Sequence, residues 1–461
     1  AQQIYFKGGK RKMSKGKVKR LLSLGLAVIM TASMIAGCGN SGTAEAPASS
    51  AEGTEVETEA PAAASGDVVK IGSLWPLTGG SATIGQQHAD GAEAAIKEIN
   101  ANGGIKSMGG AQIQLVVADT ETAADKASVA CERLITDDGV SMIIGAYNST
   151  CCISSSEVAQ KYSIPYISQG GVATAVTDRG YDYVYRINNT ATYDVLEMIT
   201  ALDTICEENN LDTLTYALVY ENSDWGADNA RIWKEAADER GWTCVLDEPV
   251  TNGQADMTSQ VLKVKDSGAD VLNVSFYTDD SIVFSNALYA NQVDLPWGVW
   301  SVGGGWQDAA FFEALDQEVY NYHFVQEDWD MCGVQNHEWI QEVATQCKET
   351  YGYEMTSFFA QGWTVAYIAY YALEAAGTTD AETLRDAIKG IELHNDGTDR
   401  ALLSGYSAIA FDEKNQNTFD GGATGGTIVQ YQDGVAVPLY PAEHSVEGNV
   451  PILPIPSFSE R

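Results

Sequence analysis

Beyond residue 67, apolar segments of strand length alternate with segments in which apolar residues recur every three or four positions. Val68 to Trp75 predicts a strand, and the apolar residues from Ala92 to Ile99 follow the spacing of a buried helical face. Asn102-Gly103-Gly104 ends that helix. This alternation predicts a parallel sheet covered by helices. It continues through predicted strands at 113–118, 142–144 and 164–167 and predicted helices at 123–136 and 154–161.

The same alternation restarts after a break at residues 186–193, which predicts a second lobe of the same α/β kind. In open parallel sheets, ligands bind at the carboxyl ends of the strands. Two such sheets facing each other therefore predict a cleft. The elements predicted after the break are helices at 195–208 and 227–240 and strands at 216–220 and 271–276. Later in the chain come long predicted helices at 339–350 and 358–375 and predicted strands at 407–411 and 427–431.

The N-terminal residues have a different pattern. A basic stretch from Lys7 to Arg20 without any acid precedes the apolar run Leu21 to Ala36, which ends in Ile35-Ala36-Gly37-Cys38. A basic, then apolar, then small-residue order is typical of a secretory signal. The run is shorter than the roughly 20 residues of a membrane-spanning helix, so an uncleaved anchor is the weaker alternative. The segment resembles a lipoprotein signal in which Cys38 receives the lipid.

Residues 39–66 contain small residues, Thr, Pro and Glu but no aromatic residue. This composition cannot bury enough apolar surface to offset the loss of chain entropy on folding. We therefore expect a flexible acidic tether between the lipidated cysteine and the folded body.

Charge and composition exclude several classes of protein. The chain has 27 Lys and Arg against 63 Asp and Glu, a net charge of −36. This excludes nucleic acid as a partner, because the phosphates of a nucleic acid attract clusters of basic side chains. Once Cys38 is assigned to lipid, an odd number of cysteines remains, and we expect at most one or two disulfides. Vicinal Cys151-Cys152 lacks metal-site spacing.

Catalytic motifs are also missing. Neither a Gly-x-Ser-x-Gly elbow nor a His-Glu-x-x-His helix occurs. The five histidines are scattered, and each is expected to be a surface or capped residue. The sequence therefore predicts no enzyme, no cofactor and no metal.

Several motifs along the body together carry a resemblance to one family. They are Ile71 to Gly79, Asp90-Gly91-Ala92, Ile143-Ile144-Gly145, Arg179-Gly180-Tyr181, Asp224-Trp225-Gly226 and Phe411-Asp412. With these motifs the chain resembles the branched-chain amino-acid-binding proteins, which are extracytoplasmic solute receptors of ABC importers. This resemblance implies a type I periplasmic-binding-protein fold, with two parallel-sheet lobes, three hinge crossings and a central cleft.

The resulting domain prediction has five parts. Hinges are expected near 186–189, 320–325 and 425–429. The parts are a signal peptide at 1–37, the lipidated cysteine and tether at 38–66, a first lobe at 67–188 plus 325–425, a second lobe at 189–324 plus 426–445, and a C-terminal tail at 446–461.

The resemblance also implies a binding site. The family's loop after the third strand, which offers a hydroxyl and amides to a ligand carboxylate, falls on Tyr147 to Thr150, with Ser149 retained. Ser149 would cap a helix in any case. Aromatic walls are implied at Trp225 and Tyr277. The expected ligand-binding residues are Tyr147, Ser149, Thr150, Gly170, Gly171, Val172, Trp225, Tyr277, Gly303 and, as a lid, Trp306.

Two positions depart from the family pattern. Val172 replaces a hydroxyl that helps to clamp the amino-acid backbone, and Gly303 stands where the family places the carboxylate for the ligand ammonium. An ammonium in a closed cleft is costly without a carboxylate. Either Asp279, Asp280 or Glu221 takes that role, or the ligand lacks an ordinary α-ammonium. In the second case leucine should bind less well than uncharged or anionic analogues.

The predicted function is capture of a small organic solute, an amino acid or a related compound, by a monomeric lipoprotein anchored outside the cytoplasm. The resemblance implies delivery to the permease subunits of an ABC transporter. The alternative is a ligand-sensing protein that acts through a membrane partner.

Overall fold

The structure is a computed structural model that describes residues 67–327, 337–394, 399–404, 408–418, 426–442 and 445–461. The predicted signal peptide, the lipidation site Cys38 and the tether lie outside these residues. Within the described part of the chain, no helix has the length and apolar character needed to cross a membrane.

The first lobe is built on a five-stranded sheet in the order β2-β1-β3-β4-β5, and every pair is parallel. The register between β1 and β2 runs without a break from Val68 opposite Gln112 to Trp75 opposite Asp119. The elements are β1 Val68–Trp75, α1 Ala82–Ala101, β2 Gln112–Asp119, α2 Ala124–Thr136, β3 Ile143–Gly145, α3 Ser149–Lys161, β4 Tyr166–Ser168 and β5 Val184–Arg186.

The second lobe is built on a seven-stranded sheet in the order β14-β13-β10-β9-β8-β6-β7. Strands β6 to β10 are parallel, whereas β13 and β14 are antiparallel additions at one edge. The elements are α4 Ala191–Asn209, β6 Thr215–Glu221, α5 Asp224–Glu239, β7 Thr243–Val250, α6 Thr258–Ser267, β8 Val271–Ser275, α7 Thr278–Ala290, β9 Val299–Ser301, α8 Ala309–Ala314, α9 Gln317–Tyr320, β10 Phe324–Glu327, β13 Thr427–Gln432 and β14 Val435–Tyr440.

Between β10 and β13 the chain returns to the first lobe. It adds α10 Glu338–Tyr351, α11 Ser357–Ala376, α12 Ala381–Lys389 and the two-stranded pair β11 Glu392–His394 and β12 Ala408–Ala410. Ile340, Val343 and Leu384 of these helices join the apolar core of the first sheet.

Both sheets are covered on both faces, as the alternating pattern predicts. In the first lobe α1 and α11 cover one face and α2 and α3 the other. In the second lobe α4 and α5 cover one face and α6 and α7 the other. The apolar residues of each strand are therefore shared between two separate cores.

The packing of α1 on α11 depends on two glycines that approach the opposite backbone. A Cβ added at Gly91 would lie 2.0 Å from the carbonyl oxygen of Phe359, and one added at Gly362 would lie 2.1 Å from that of His88. Any side chain larger than hydrogen would force the helices apart at these contacts. The two glycines therefore fix the distance between α1 and α11.

Three segments link the lobes, at residues 186–191, 327–338 and 410–427. The predicted hinge at 320–325 is wrong, because β10 pairs with β9 and β13 inside the second sheet. Residues 325–327, which the sequence assigned to the first lobe, lie in that strand. Residues 328–336 and 419–425 of the links lie outside the described residues.

The last residues of the chain, predicted as a tail, pack on the second lobe. Ile455 N–H donates to the carbonyl of Pro296 at 2.8 Å, and Ile452 N–H donates to Gln430 Oε1 at 2.8 Å. Leu453 and Ile455 contact the apolar core there. The described cysteines are free thiols, at positions 131, 151, 152, 206, 244 and 347.

Substitution of either contact glycine tests this packing. Gly91→Ala and Gly362→Ala should each lower the free energy of unfolding by about 1 to 3 kcal/mol, since the new methyl group overlaps backbone. Gly390→Ala is the matched control, because its Cβ would meet nothing closer than 3.5 Å. Urea denaturation measures the effect. Loss of less than about 0.5 kcal/mol in both contact variants would contradict the account.

Candidate functional site

A cavity lies where the carboxyl ends of the two parallel sheets meet. From the first lobe it receives the loops after β3, β4 and β5 and the start of α11, and from the second lobe the loops after β6, β8 and β9. Its volume is about 30 Å³, room for about two water molecules. The lining residues are Tyr147, Ser149, Gly170, Val172, Asn188, Asp194, Trp225, Tyr277, Val302, Gly303, Gly304, Gln307, Gln326, Phe358 and Gln361.

Aromatic rings from both lobes meet in this cavity. The rings of Trp225 and Tyr277, from the second lobe, lie 4.7 Å apart between centroids. Tyr147, from the first lobe, lies 5.7 Å from Tyr277 and 5.7 Å from Phe358 of α11. All four are buried. The structure therefore brings together three aromatics that the sequence placed at the site and adds Phe358.

The loop after β3 provides a polar end to the cavity. Ser149 is the first residue of α3, so the first-turn amides of this helix have no intrahelical partner and the helix dipole is positive there. The Ser149 hydroxyl accepts a hydrogen bond from Ala173 N–H at 3.2 Å. A hydroxyl that accepts one bond can still donate its own hydrogen. This end is suited to an anionic or carbonyl group.

The loop after β4 forms one wall of the cavity. Gly170 N–H donates to the carbonyl of Ala146 at 3.3 Å, and the carbonyl of Val172 accepts from Ala191 N–H at 2.8 Å. A Cβ at Gly170 would lie 2.6 Å from the Cα of Tyr147. Gly170 and Val172 therefore line the cavity mainly as packing surface. The N–H group of Gly170 already donates a hydrogen bond within the protein.

Three predicted site residues lie elsewhere. Thr150 faces a separate interlobe cavity of about 610 Å³ that Glu221 also lines. Gly171 faces the first lobe's core, where its Cβ would lie 2.7 Å from Cys152 Sγ. Trp306 is 1% exposed and packs on Phe276 and Phe311, so it is not a lid.

The glycine run before Trp306 explains its direction. Gly305 N–H donates to the carbonyl of Phe276 at 2.9 Å, and its Cβ would lie 2.3 Å from Ser281 Oγ. The turn therefore packs closely against α7. This contact directs the Trp306 side chain into the core of the second lobe. Gly304 has a φ of +65°, and its Cβ would lie 2.6 Å from the Trp225 ring. Because Gly304 has no side chain, the backbone of this run can lie close to the Trp225 ring.

The local backbone and a neighbouring side chain explain why glycine and not an acidic residue stands at position 303. Gly303 has a φ of +59°, which disfavours any other residue. A Cβ there would lie 2.9 Å from Gln307 Oε1, and Gln307 Nε2 donates to the carbonyl of Gln326 at 2.7 Å. The Gln307 amide thus lies against Gly303, where an acidic side chain would begin.

The three acids proposed as replacements do not line this cavity. Asp279 is exposed, and both carboxylate oxygens of Asp280 accept from Gly253 N–H, at 3.0 and 2.9 Å. Glu221 lines the separate cavity. Asp194, in the first turn of α4, lines the main cavity and is 4% exposed. It was not among the predicted site residues, because it lies between the break at 186–193 and the helix predicted at 195–208, where no motif marks a site.

A buried histidine supports the first-lobe wall. His88 Nδ1 lies 2.9 Å from the Ile84 carbonyl, and Nε2 lies 3.1 Å from Gln361 Oε1. Its ring stacks on Trp75 at 4.8 Å. Burial lowers its pKa to about 4, so it is neutral at physiological pH. The expectation of surface or capped histidines is wrong for His88 and for His323, which is also buried.

Glu221 ends β6 and is 4% exposed. Burial raises its pKa to about 7, with a further contribution from the charge of Asp280, although a hydrogen bond with Ser223 acts in the opposite direction. The separate interlobe cavity therefore contains a carboxyl group that changes charge near neutral pH. Asn148 and Thr150 of the first lobe line the same cavity.

Glu221 should make stability depend on pH. Because its pKa is raised on folding, the unfolded chain loses the proton first, and the free energy of unfolding should fall as pH rises from about 4.5 to about 7. The loss should reach about 3 kcal/mol. Glu221→Gln should be as stable as the wild type at pH 4.5 and more stable at pH 7.5.

Urea denaturation of both proteins across this range measures the difference. Burial lowers the pKa of His88 and of His323, which makes the free energy of unfolding rise with pH. Both histidines are present in the wild type and in the variant, so their effect cancels when the two proteins are compared. A pH-independent difference between wild type and Glu221→Gln would contradict the assignment.

Comparison with known proteins adds to this geometry. The sequence profile of the family described as periplasmic binding protein matches residues 68–422. A relative, the Leu/Ile/Val-binding protein homolog 7 of Brucella abortus, is 30% identical over 390 residues, which is 82% of this chain and 93% of the relative.

Solved structures resemble the fold. The branched-chain amino acid transporter substrate-binding protein LivJ of Streptococcus pneumoniae, in complex with isoleucine, has a TM-score of 0.68 at 20% identity and covers 81% of this chain and 100% of its own. A solute-binding protein of an ABC transporter from R. palustris, in complex with benzoate, has a TM-score of 0.65 at 17% identity, covering 81% and 95%. These matches confirm the predicted two-lobed fold.

Proposed function

The chain belongs to the periplasmic binding protein family, and we propose that it captures a small organic solute between its lobes outside the cytoplasm and delivers it to an ABC importer. The observation that carries this proposal is the cavity in which Trp225 and Tyr277 of one lobe meet Tyr147 and Phe358 of the other. Aromatic rings bury a large apolar area at a small entropy cost, which suits them to hold a solute.

The cavity volume indicates how such a site would work. About 30 Å³ is too little for an organic solute, so the lobes or the rings must move apart before a ligand enters. Two α/β lobes linked by three chain segments can open and close with little internal repacking. The protein would therefore act by closure around the solute, without chemical turnover.

The related structures suggest a range of ligands. The Streptococcus pneumoniae protein holds isoleucine and the R. palustris protein holds benzoate, so the fold accommodates both an amino acid and an aromatic acid. The polar end at Ser149 and the aromatic walls of this chain are compatible with either kind of molecule. The ligand-binding residues that we propose are Tyr147, Ser149, Gly170, Val172, Trp225, Tyr277 and Gly303, together with Phe358.

The proposal extends to the N-terminal segment. Ile35-Ala36-Gly37-Cys38 and the acidic tether that follows support anchoring of the mature protein by a lipid on Cys38. Such an anchor would keep a solute receptor close to the membrane-embedded permease.

Removal of the aromatic wall tests solute capture. Trp225→Ala should weaken binding of the co-purified solute by about 1 to 3 kcal/mol while the protein stays folded, because the ring supplies buried apolar contact. Trp225→Phe keeps an aromatic ring and should lose less. Native mass spectrometry of protein purified without denaturation identifies the solute, and calorimetry measures its affinity. Absence of any bound solute, or unchanged affinity in Trp225→Ala, would contradict the proposal.

Substitution of the lipid acceptor tests the anchor. When the full chain is expressed in a bacterium that processes lipoproteins, the wild type should be found in the membrane fraction and Cys38→Ala should not. Mass spectrometry of the mature N-terminus should find diacylglycerol on Cys38. A wild-type protein released into the medium with a free Cys38 thiol would refute this part.

A further inference from the structure

We infer that Asp228 is a positioning residue that holds the two lobes closed over the bound solute, by accepting a hydrogen bond from the loop after β4. This inference rests on the proposed function and adds to it a residue that lies outside the cavity. The Thr174 N–H of the first lobe donates to Asp228 Oδ2 of the second lobe at 2.8 Å. This hydrogen bond is called the interlobe contact below.

The second lobe holds the Asp228 carboxylate in one orientation. Asp228 lies in α5, three residues after Trp225, so the two side chains lie on the same face of the helix. Arg231 donates from Nε and Nη2 to Asp228 Oδ1, at 3.2 and 2.6 Å. The other carboxylate oxygen is the one that meets the Thr174 N–H. Because the Asp228 side chain is 10% exposed, water competes little for this hydrogen bond.

The first lobe fixes the segment that carries the donor. The carbonyls of Gly171 and Ala173 accept from Arg186 Nη1, at 2.9 and 2.6 Å. Arg186 is the last residue of β5 and is buried in the first lobe. A segment fixed in this way stays with the first lobe when the lobes separate. Opening must therefore break the interlobe contact.

The interlobe contact lies next to the polar end of the cavity. Val172 lines the cavity, and Ala173 N–H donates to the Ser149 hydroxyl at 3.2 Å. Thr174 and Asp228 lie outside the residues that line the cavity, so a solute can bind without displacing their hydrogen bond. The aromatic walls make room for a solute by rotation of their side chains, whereas the interlobe contact uses a backbone N–H. The contact therefore stabilises the closed protein with its solute inside.

A contact that exists only in the closed arrangement acts on release of the solute. The solute enters while the lobes are apart, so its association rate does not depend on the contact. Release requires the lobes to open again, which breaks the contact. Hydrogen bonds to charged groups are strong enough in proteins to change such a rate by about tenfold or more.

Removal of the carboxylate tests the inference. Because Trp225 lines the cavity, stopped-flow Trp fluorescence measures both rates, with L-isoleucine, benzoate and the co-purified solute as probes. For a probe that binds, Asp228→Ala should dissociate about tenfold faster than the wild type, with an association rate within about twofold. Asp228→Asn keeps an acceptor oxygen and should recover part of this loss.

Glu235→Gln is the matched control for the charge change. Glu235 lies on the same helix, is exposed and forms a second ion pair with Arg231 at 2.9 Å. It makes this contact within the second lobe. Both rates in Glu235→Gln should therefore equal those of the wild type.

Removal of the donor is an independent test. Thr174→Pro deletes the N–H, and the backbone accepts proline because Thr174 begins a 3₁₀ turn and Ala173 has a φ of −57° and a ψ of 140°. Its dissociation rate should rise as much as that of Asp228→Ala, and more than that of Thr174→Ala, which keeps the N–H. The double variant Thr174→Pro/Asp228→Ala should be no faster than either single variant, since both remove the same hydrogen bond.

Other outcomes separate this inference from the proposed function. An unchanged dissociation rate in Asp228→Ala, tighter binding in that variant, or additive effects in the double variant would overturn the inference and leave solute capture intact. If no probe binds the folded wild type, the proposed function fails, and small-angle scattering without solute decides on the contact. Asp228→Ala should then have a larger radius of gyration than the wild type and Glu235→Gln, and equal radii would overturn the inference too.

Discussion

Parallel strands place all of their carboxyl ends at one edge of a sheet, and in this protein two such edges face each other. The loops after β3, β4 and β5 therefore meet the loops after β6, β8 and β9 in a single cavity. No loop has to be long to reach it, because the strand ends already lie there. The helices that cover each sheet hold the edges in place, and the contact of Gly91 and Gly362 with opposing backbone sets how closely α1 and α11 can pack. Since Phe358 and Gln361 extend from the start of α11, this packing also positions part of the cavity wall.

Much of the fold could be predicted from the sequence, because buried strands and amphipathic helices leave a periodic signal. The predicted strand 68–75 coincides with β1, and the helix 358–375 coincides closely with α11. Elements without that signal were missed. β7 lies at a sheet edge with mostly exposed or half-buried residues, so its sequence lacks the apolar run of a central strand. In α7, polar Ser281 and Ser285 are buried beside Phe284, and apolar and polar positions do not separate.

The site was predictable to the extent that it follows strand ends. Tyr147, Trp225 and Tyr277 come soon after β3, β6 and β8, and all three line the cavity. The sequence pattern does not show which way a side chain points within a loop. Trp306 points into the core of the second lobe because Gly305 packs against α7. Asp194 and Phe358 reach the cavity from the first turns of α4 and α11, not from a loop directly after a strand. Their positions depend on the tertiary packing of α4 and α11, which spacing alone does not reveal.

The central claim is that the two lobes close on a solute held between aromatic walls from both sides. Small-angle X-ray scattering tests it most directly, with the full chain measured first without and then with a saturating concentration of the solute that native mass spectrometry identifies. Closure predicts a smaller radius of gyration in the saturated protein, at a concentration that calorimetry shows to fill the site. An unchanged radius of gyration at full occupancy would contradict the account and would indicate a rigid scaffold.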